Sequence, residues 1–567
     1  MGFHSFSKSK FPGPLALLAS KTIQATPTQY PQLNMSFTQW LPWILLFALL
    51  LVHIIFLPKL LKKAGQTSWY GYVPGLNYWA WLKAIGRPWY WLFLLIIPGV
   101  NLLMLVIMQI ELGIAYNQRS TAEQWKIGVL PWLFIPSLSM SDATYVGRRS
   151  WDGKKKSVIR DWSESILWAL VVATIVRTFI FEAFTIPTAS MEGSMLVGDY
   201  LYVSKTAYGA KVPQTPVSIP LIHNVIPGGM TPSYLEWFAL PFNRLPGIRS
   251  VERYDAVVFN FPHGDTIVVD QNLAGHDYYS ILRREGIASA QGSVETYLEN
   301  PARYDALGRS QLEKRYGIKG RPLDKTENYV KRCVGLPGET VSVVDGVLQI
   351  NGEAIEPPAG VQYEYTVTFK SQLDARRAIA GLNLTNVDLG PAKMNGDAIE
   401  VVMALTSSEV ELLSNGELAK SVERKNVSQH RGSLYLFPNV SSPEFDLWDP
   451  DNLGPITLPH QGMTVDLTDR NLALYRRAIT TYEGHRLEMR EGKVFIDGVM
   501  RESFTFALDY YWMMGDNRHR SADSRMWGFV PQTHVVGHAS FIWFSKQNEA
   551  QHGESKIRWD RMFRSVQ

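Results

Sequence analysis

Ser190 and Lys331 are the residues whose types and settings could together make and break a covalent bond. Ser190 stands in the polar stretch Ile186-Pro187-Thr188-Ala189-Ser190-Met191-Glu192-Gly193-Ser194-Met195-Leu196-Val197-Gly198-Asp199, directly after a long apolar run. Its hydroxyl is a weak nucleophile until a base takes the proton, and a lysine can be that base where a dry site lowers its pKa. Lys331 lies in Tyr329-Val330-Lys331-Arg332-Cys333-Val334-Gly335-Leu336-Pro337-Gly338-Glu339, a strand-like stretch ended by a Pro-Gly turn. Val330, Cys333, Val334 and Leu336 suit an apolar surrounding that disfavours an ammonium. Taken singly, such a serine is an ordinary turn residue and a lysine beside an arginine is a solvated charge.

A third stretch, Met514-Gly515-Asp516-Asn517-Arg518-His519-Arg520-Ser521-Ala522-Asp523-Ser524-Arg525, is followed by Trp527-Gly528-Phe529-Val530-Pro531. In this order the three stretches resemble the type I signal peptidases, membrane-bound Ser/Lys proteases that remove signal peptides from exported proteins. The resemblance implies Ser190 as nucleophile and Lys331 as general base. It implies an oxyanion hole made by the Ser190 backbone N–H and the Thr188 hydroxyl, with Ser521 orienting Lys331 and an Asp523–Arg525 ion pair buttressing the site. Asp516, Asn517 and Arg518 are expected to hold the turn and its backbone. One position departs from the pattern: where the family often has proline three residues after the nucleophile, this chain has Gly193, then Ser194. The partners implied are the signal peptides of exported preproteins and the lipid bilayer, and no cofactor is expected.

Other chemistries are disfavoured by what the sequence lacks. The 12 histidines are scattered with no His-Glu-x-x-His, and one cysteine cannot make a thiolate cluster, so no metal site is expected. Neither a P-loop nor a Gly-x-Ser-x-Gly elbow occurs, which argues against a nucleotide enzyme and an α/β-hydrolase. A net charge of +4 over 567 residues argues against a dedicated nucleic-acid surface. With Cys333 alone, no intramolecular disulfide can form, and the thiol reads as a small core filler on the face of Lys331.

The elements that must position these residues follow from hydropathy. Phe37 to Leu57 is long enough to cross a bilayer, Pro88 to Ile110 opens with the aromatic composition of a membrane entry point, and Ile127 to Met140 is a weaker run holding Pro131 and Pro136. The fourth run, Ile166 to Phe184, leads into the serine loop. Lys154, Lys155, Lys156 and Arg160 before it, and the basic loop from Lys59 to Arg87, put those sides in the cytoplasm. The expected place is therefore the inner (plasma) membrane, multi-pass, with the catalytic part on the periplasmic, extracytoplasmic side.

Beyond Phe184, short alternating segments separated by Gly, Pro, Asn351-Gly352 and Asp497-Gly498 turns argue a mostly β, antiparallel catalytic domain. The expected division is a disordered tail over 1–34, a membrane region over 35–145 with two or three spans, and a transmembrane helix over 160–184. The catalytic β domain follows over 185–359, with loop insertions at 214–249 and 263–328. An inserted variable lobe over 360–480 holds helices near 372–380 and 408–418. The catalytic domain ends over 481–547, before a C-terminal tail over 548–567. Met35 is a plausible alternative start. Two other readings have discriminators in the sequence. A self-cleaving repressor-type Ser/Lys protease would carry a DNA-binding domain where this chain has membrane segments. An inactive membrane scaffold would have no need of Ser190, Lys331 and Ser521 together.

Overall fold

The computed structural model describes residues 37–118, 120–147, 158–227, 231–235, 239–262, 266–270, 273, 277–382, 384, 388–425, 427, 436–547 and 556–566. The expectations for residues 1–34 and for Lys154 to Lys156 lie outside these. The described residues form two compact units, one of 37–181 with 211–245 and one of 182–210 with 246–566.

The first unit is helical. Two of its helices, Phe37–Lys63 and Val158–Phe179, are long and apolar enough to cross a membrane. The other two runs are broken. Gly99, at φ +77°, interrupts the run from Pro88, so that its continuous helix is Val100–Ala115. Pro131–Met140 is a separate helix of 10 residues, about 15 Å long against a hydrocarbon core of about 30 Å. The fourth run also ends earlier than its hydropathy suggests. Its helix stops at Phe179, and Phe181–Thr185 is a strand, as suits a stretch holding Phe181, Phe184 and Thr185. Residues 211–245, which take in most of the insertion expected over 214–249 in the catalytic part, belong to this helical unit: Asn101 Nδ2 donates to the Pro216 carbonyl (2.7 Å) and Arg177 Nη1 to that of Leu221 (2.7 Å).

The second unit is mostly β with antiparallel ladders. Its main sheet of eight strands runs Phe181–Thr185, Asp199–Ser204, Val535–Ser545, Ala256–Asn260, Asn328–Gly335, Tyr510–Met514, Val530–Pro531, with Arg564–Ser565 also paired to Val535–Ser545. Spatial neighbours here are far apart in sequence. Lys331 pairs with Val257, and Arg332 stands between Ala256 and Met514. The hairpins at Asp345-Gly346, Asn351-Gly352, Glu491-Gly492 and Asp497-Gly498 place both turn residues at positive φ, the backbone that matches strand twist.

Two of the expected boundaries shift. Gln362–Phe369, Leu389–Asn395, Ala398–Thr406 and Ala419–Arg424 form a separate four-stranded sheet. The helices Gln372–Gly381 and Ser407–Asn415 pack on it around Val367, Phe369, Met403, Leu405 and Leu413. From Leu436 onward the chain has rejoined the largest core, where Phe437, Ile456, Leu458 and Tyr475 pack with Val341, Trp512 and Phe529. Leu453–Thr457 pairs there with Thr340–Val344. The part of 360–480 with a core of its own is thus Gln362–Arg424. The C-terminal residues are likewise no free tail where described: the Phe563 N–H donates to the Ile542 carbonyl at 2.6 Å, and Arg564–Ser565 is a strand of the main sheet.

Candidate active site

Ser190 sits in a single 3-10 turn, Ala189–Met191, pinned from below by Met191 and Met195, which are fully buried against Ile186 and Leu201. The loop closes on itself through Ile186 N–H to Asp199 O (2.8 Å) and Gly198 N–H to Ile186 O (2.9 Å). The buried Asp199 carboxylate then accepts from the Leu196 N–H (2.8 Å), the Ser545 hydroxyl (2.6 Å) and the Arg561 guanidinium (2.6 Å). Gly193 has φ +91°, and a Cβ on it would overlap the Gly360 carbonyl oxygen. Proline, locked near φ −65°, cannot take that conformation. The departure from the expected pattern at 193 thus has a steric cause inside this chain.

Lys331 reaches this turn from the centre of the main sheet, and its Nζ is hydrogen-bonded to Ser190 Oγ. The lysine is only 2% exposed. Burial drives its pKa down to about 8; Asp523 and Asp516 pull it back up, and Arg525 lowers it again. Strand neighbours make this environment, since Val257 lies opposite Lys331 and Ala256, Val258 and Val334 are all buried. Thr188 Oγ1 lies 3.4 Å from Ser190 Oγ, so both hydroxyls face one small volume. The Cys333 thiol is fully buried among Tyr208, Phe259 and Met513, which pushes its pKa up.

The third motif wraps the serine turn from the far side. The Asn517 N–H donates to the Ser190 carbonyl (3.2 Å), and Asn517 Nδ2 donates to the Ala189 carbonyl (3.2 Å). Asp516 is clamped by Arg332, with Nε to Oδ1 at 2.8 Å and Nη2 to Oδ2 at 2.7 Å, both side chains being buried. Asp523 forms the same bidentate pairing with Arg525, and its Oδ2 also accepts from the Gly515 N–H at 3.1 Å. Burial opposes the charge on Asp523, yet Arg525, Gly515 and Lys331 hold its carboxyl below the usual range. A Cβ on Gly515 would overlap both the Ser190 carbonyl and Ser521 Oγ, so this glycine lets the two approach. Ser521 is buried at that spot, but its hydroxyl has no hydrogen-bond partner among the described residues.

The site therefore has a buried amine of lowered basicity on a serine hydroxyl, a second hydroxyl and the serine's own N–H. This is a set suited to acyl transfer. Histidines serve elsewhere: His485 bonds Asp497, His538 bonds Ser540, and His519 bonds Asp451 and the Glu364 N–H. Among the described residues no group of three or more His, Cys, Asp or Glu could hold a metal ion. Two supporting residues carry little sequence signal of their role: Arg332 is a charged neighbour of Lys331, and Arg561 lies in the expected C-terminal tail. Its aromatic neighbours Trp559 and Phe563 were the available hint of an ordered segment.

Residues 159–385 and 503–544 match the model of the family described as signal peptidase, peptidase S26, and residues 69–148 match a family of unknown function, DUF5684. The chain is similar to the signal peptidase I of Haemophilus influenzae, 24% identical over 72% of this chain and 75% of that protein. It is also similar to the signal peptidase I of Buchnera aphidicola subsp. Baizongia pistaciae, at 22% identity over 72% of this chain and 84% of that protein. A third similarity is to the probable signal peptidase I-1 of a Synechocystis species, 31% identical over 18% of this chain and 60% of that protein.

Proposed function

From a chain that belongs to the signal peptidase, peptidase S26 family, and so is a serine endopeptidase that cleaves signal peptides, we propose a membrane-anchored enzyme working through a Ser190–Lys331 dyad. The observation that carries this is the hydrogen bond between Ser190 Oγ and a buried Lys331 whose pKa is lowered to about 8. With the amine neutral, Nζ accepts the hydroxyl proton as Oγ attacks the scissile carbonyl carbon. The Ser190 N–H and the Thr188 hydroxyl donate to the oxyanion. On collapse Lys331 returns the proton to the leaving amine, which departs with the mature protein. Water then attacks the acyl-serine with Lys331 again as base, and the signal peptide leaves.

In this reading Asn517 fixes the Ser190 backbone, while the Asp516–Arg332 and Asp523–Arg525 pairs hold the motif rigid and supply the carboxylates that temper the lysine. Ser521, which the family resemblance casts as the residue orienting Lys331, is buried beside Gly515 with its hydroxyl unbonded among the described residues, so that role rests on the resemblance alone. The helices Phe37–Lys63 and Val158–Phe179 anchor the chain, and the second unit faces away from the cytoplasm. That placement suits a substrate whose apolar segment is still in the bilayer and whose cleavage site presents small residues, as in Ala-x-Ala.

The test is cleavage of a preprotein by the purified, detergent-solubilised chain. Wild type should release the mature protein, Ser190→Ala and Lys331→Ala should not, and Lys331→Arg should fail because guanidinium stays protonated. A Ser190→Ala protein with wild-type turnover would end the proposal. Protease added outside spheroplasts should digest the second unit, and its protection in intact spheroplasts would reverse the orientation.

A further inference from the structure

The stem of the inserted segment, residues 360–364, meets the catalytic motifs at more points than a peripheral lobe requires. Gly360 presses its carbonyl against Gly193 of the serine loop, and a Cβ on Gly360 itself would overlap Ser194 Oγ. Gln362 then runs parallel to Asn517: its N–H donates to the Asp516 carbonyl (2.8 Å) and its carbonyl accepts from the Arg518 N–H (2.9 Å). Two residues on, the Glu364 N–H donates to His519 Nδ1 (3.1 Å) and Glu364 Oε1 accepts from Arg520 Nε (2.8 Å). The other Glu364 oxygen accepts from Lys425 Nζ (2.7 Å), at the point where the segment leaves its own sheet. The chain entering the separate sheet is therefore zipped along 516–520, and Asn517, inside that zipper, holds the backbone carbonyls of Ala189 and Ser190.

We propose that Gln362 and Glu364 are positioning residues of the peptidase site: through the zipper they set Asn517, and through Asn517 the orientation of the Ser190 N–H and hydroxyl. The inserted segment is thus part of the site's wall, and its stem cannot be exchanged for an arbitrary linker. Orientation of reacting groups acts on turnover, since a small misplacement far from the chemistry is felt at the transition state. The stem bonds residues 516, 518, 519 and 520 and neither Ser190 nor Lys331, so its loosening lowers kcat and leaves KM alone. The inference rests on Ser190 being the nucleophile.

The experiment measures kcat, KM and thermal unfolding for the full-length protein in detergent with a signal-peptide-like substrate. Gln362→Pro deletes the N–H that bonds Asp516 at the first residue of a strand, where proline is otherwise tolerated. Arg520→Met removes the side-chain stitch on a partly exposed residue. Expected are a fall in kcat of at least tenfold for Gln362→Pro and about threefold or more for Arg520→Met, with KM within twofold and partial rescue by Arg520→Lys. Combining Arg520→Met with Glu364→Gln should cost less than the product of the two single losses, because both weaken the Arg520–Glu364 link. If Gln362→Pro does not fold, the Arg520 and Glu364 variants decide. Unchanged kcat in the folded variants, or a rise in KM with constant kcat, overturns the proposal. A Ser190→Ala control that keeps turnover instead overturns the underlying reading of the nucleophile.

Discussion

At neutral pH a protonated amine at position 331 is held in the protein against its own desolvation, and removing it has two opposite effects. Lys331→Met keeps the length of the side chain, cannot accept the Ser190 proton, and should abolish turnover. The same change should stabilise the fold. The folded pKa of about 8 lies below the model value of 10.5, a shift of about 2.5 units, or about 3 kcal/mol at 1.36 kcal/mol per unit. The sign follows from the depression of a basic group: the penalty is present in full below pH about 8, shrinks as pH rises, and vanishes above the unfolded value. Losing the hydrogen bond to Ser190 returns about 1 kcal/mol, leaving a net gain of about 2 kcal/mol at pH 7. Chemical denaturation of wild type and Lys331→Met at pH 7 and pH 10 measures this, and the difference should narrow at the higher pH. Wild-type kcat/KM should rise about tenfold from pH 7 to pH 9 as the neutral fraction goes from about 9% to about 91%, then level off. A lysine titrating at 10.5 would instead give a rise of about a hundredfold over the same interval with no plateau. A log-linear profile to pH 9.5 together with a destabilised Lys331→Met would refute the buried neutral base.

Thr188→Val should lower kcat by about a hundredfold, the loss typical of one oxyanion donor, with KM little changed and Thr188→Ser near wild type in steady-state assays. Gly193→Ala has to hold a Cβ at φ +91° against the Gly360 carbonyl; it should cost about 2 kcal/mol or more in denaturant unfolding and lower turnover with it. Arg561→Met leaves the buried Asp199 with its nearest ion-pair partner gone, so a loss of about 3 kcal/mol is expected in the same assay. Wild-type stability after Arg561→Met would show that the C-terminal segment does not support the serine loop.

The residues of the candidate site could be named from the chain because three stretches stand in the order of a known family. Taken singly, a serine after an apolar run and a lysine in an apolar strand carry no such identity. The β character was legible in the chain itself, since alternation and Asp-Gly or Asn-Gly turns are local signals. Helix ends were less so. The apolar run extends through residues 180–184 with Glu182 as its one charge, while the backbone turns from helix to strand after Phe179, because a strand partner in Asp199–Ser204 is available there. What only tertiary structure decided is which distant groups meet. Arg332 finds Asp516, Arg561 finds Asp199, and Gly193 finds Gly360, across 184, 362 and 167 positions of chain respectively. No sequence period encodes such contacts. They arise when the strands 256–260, 328–335, 510–514 and 535–545 pair in non-sequential order, and burial then makes each unpaired charge or clashing Cβ costly enough to select its partner.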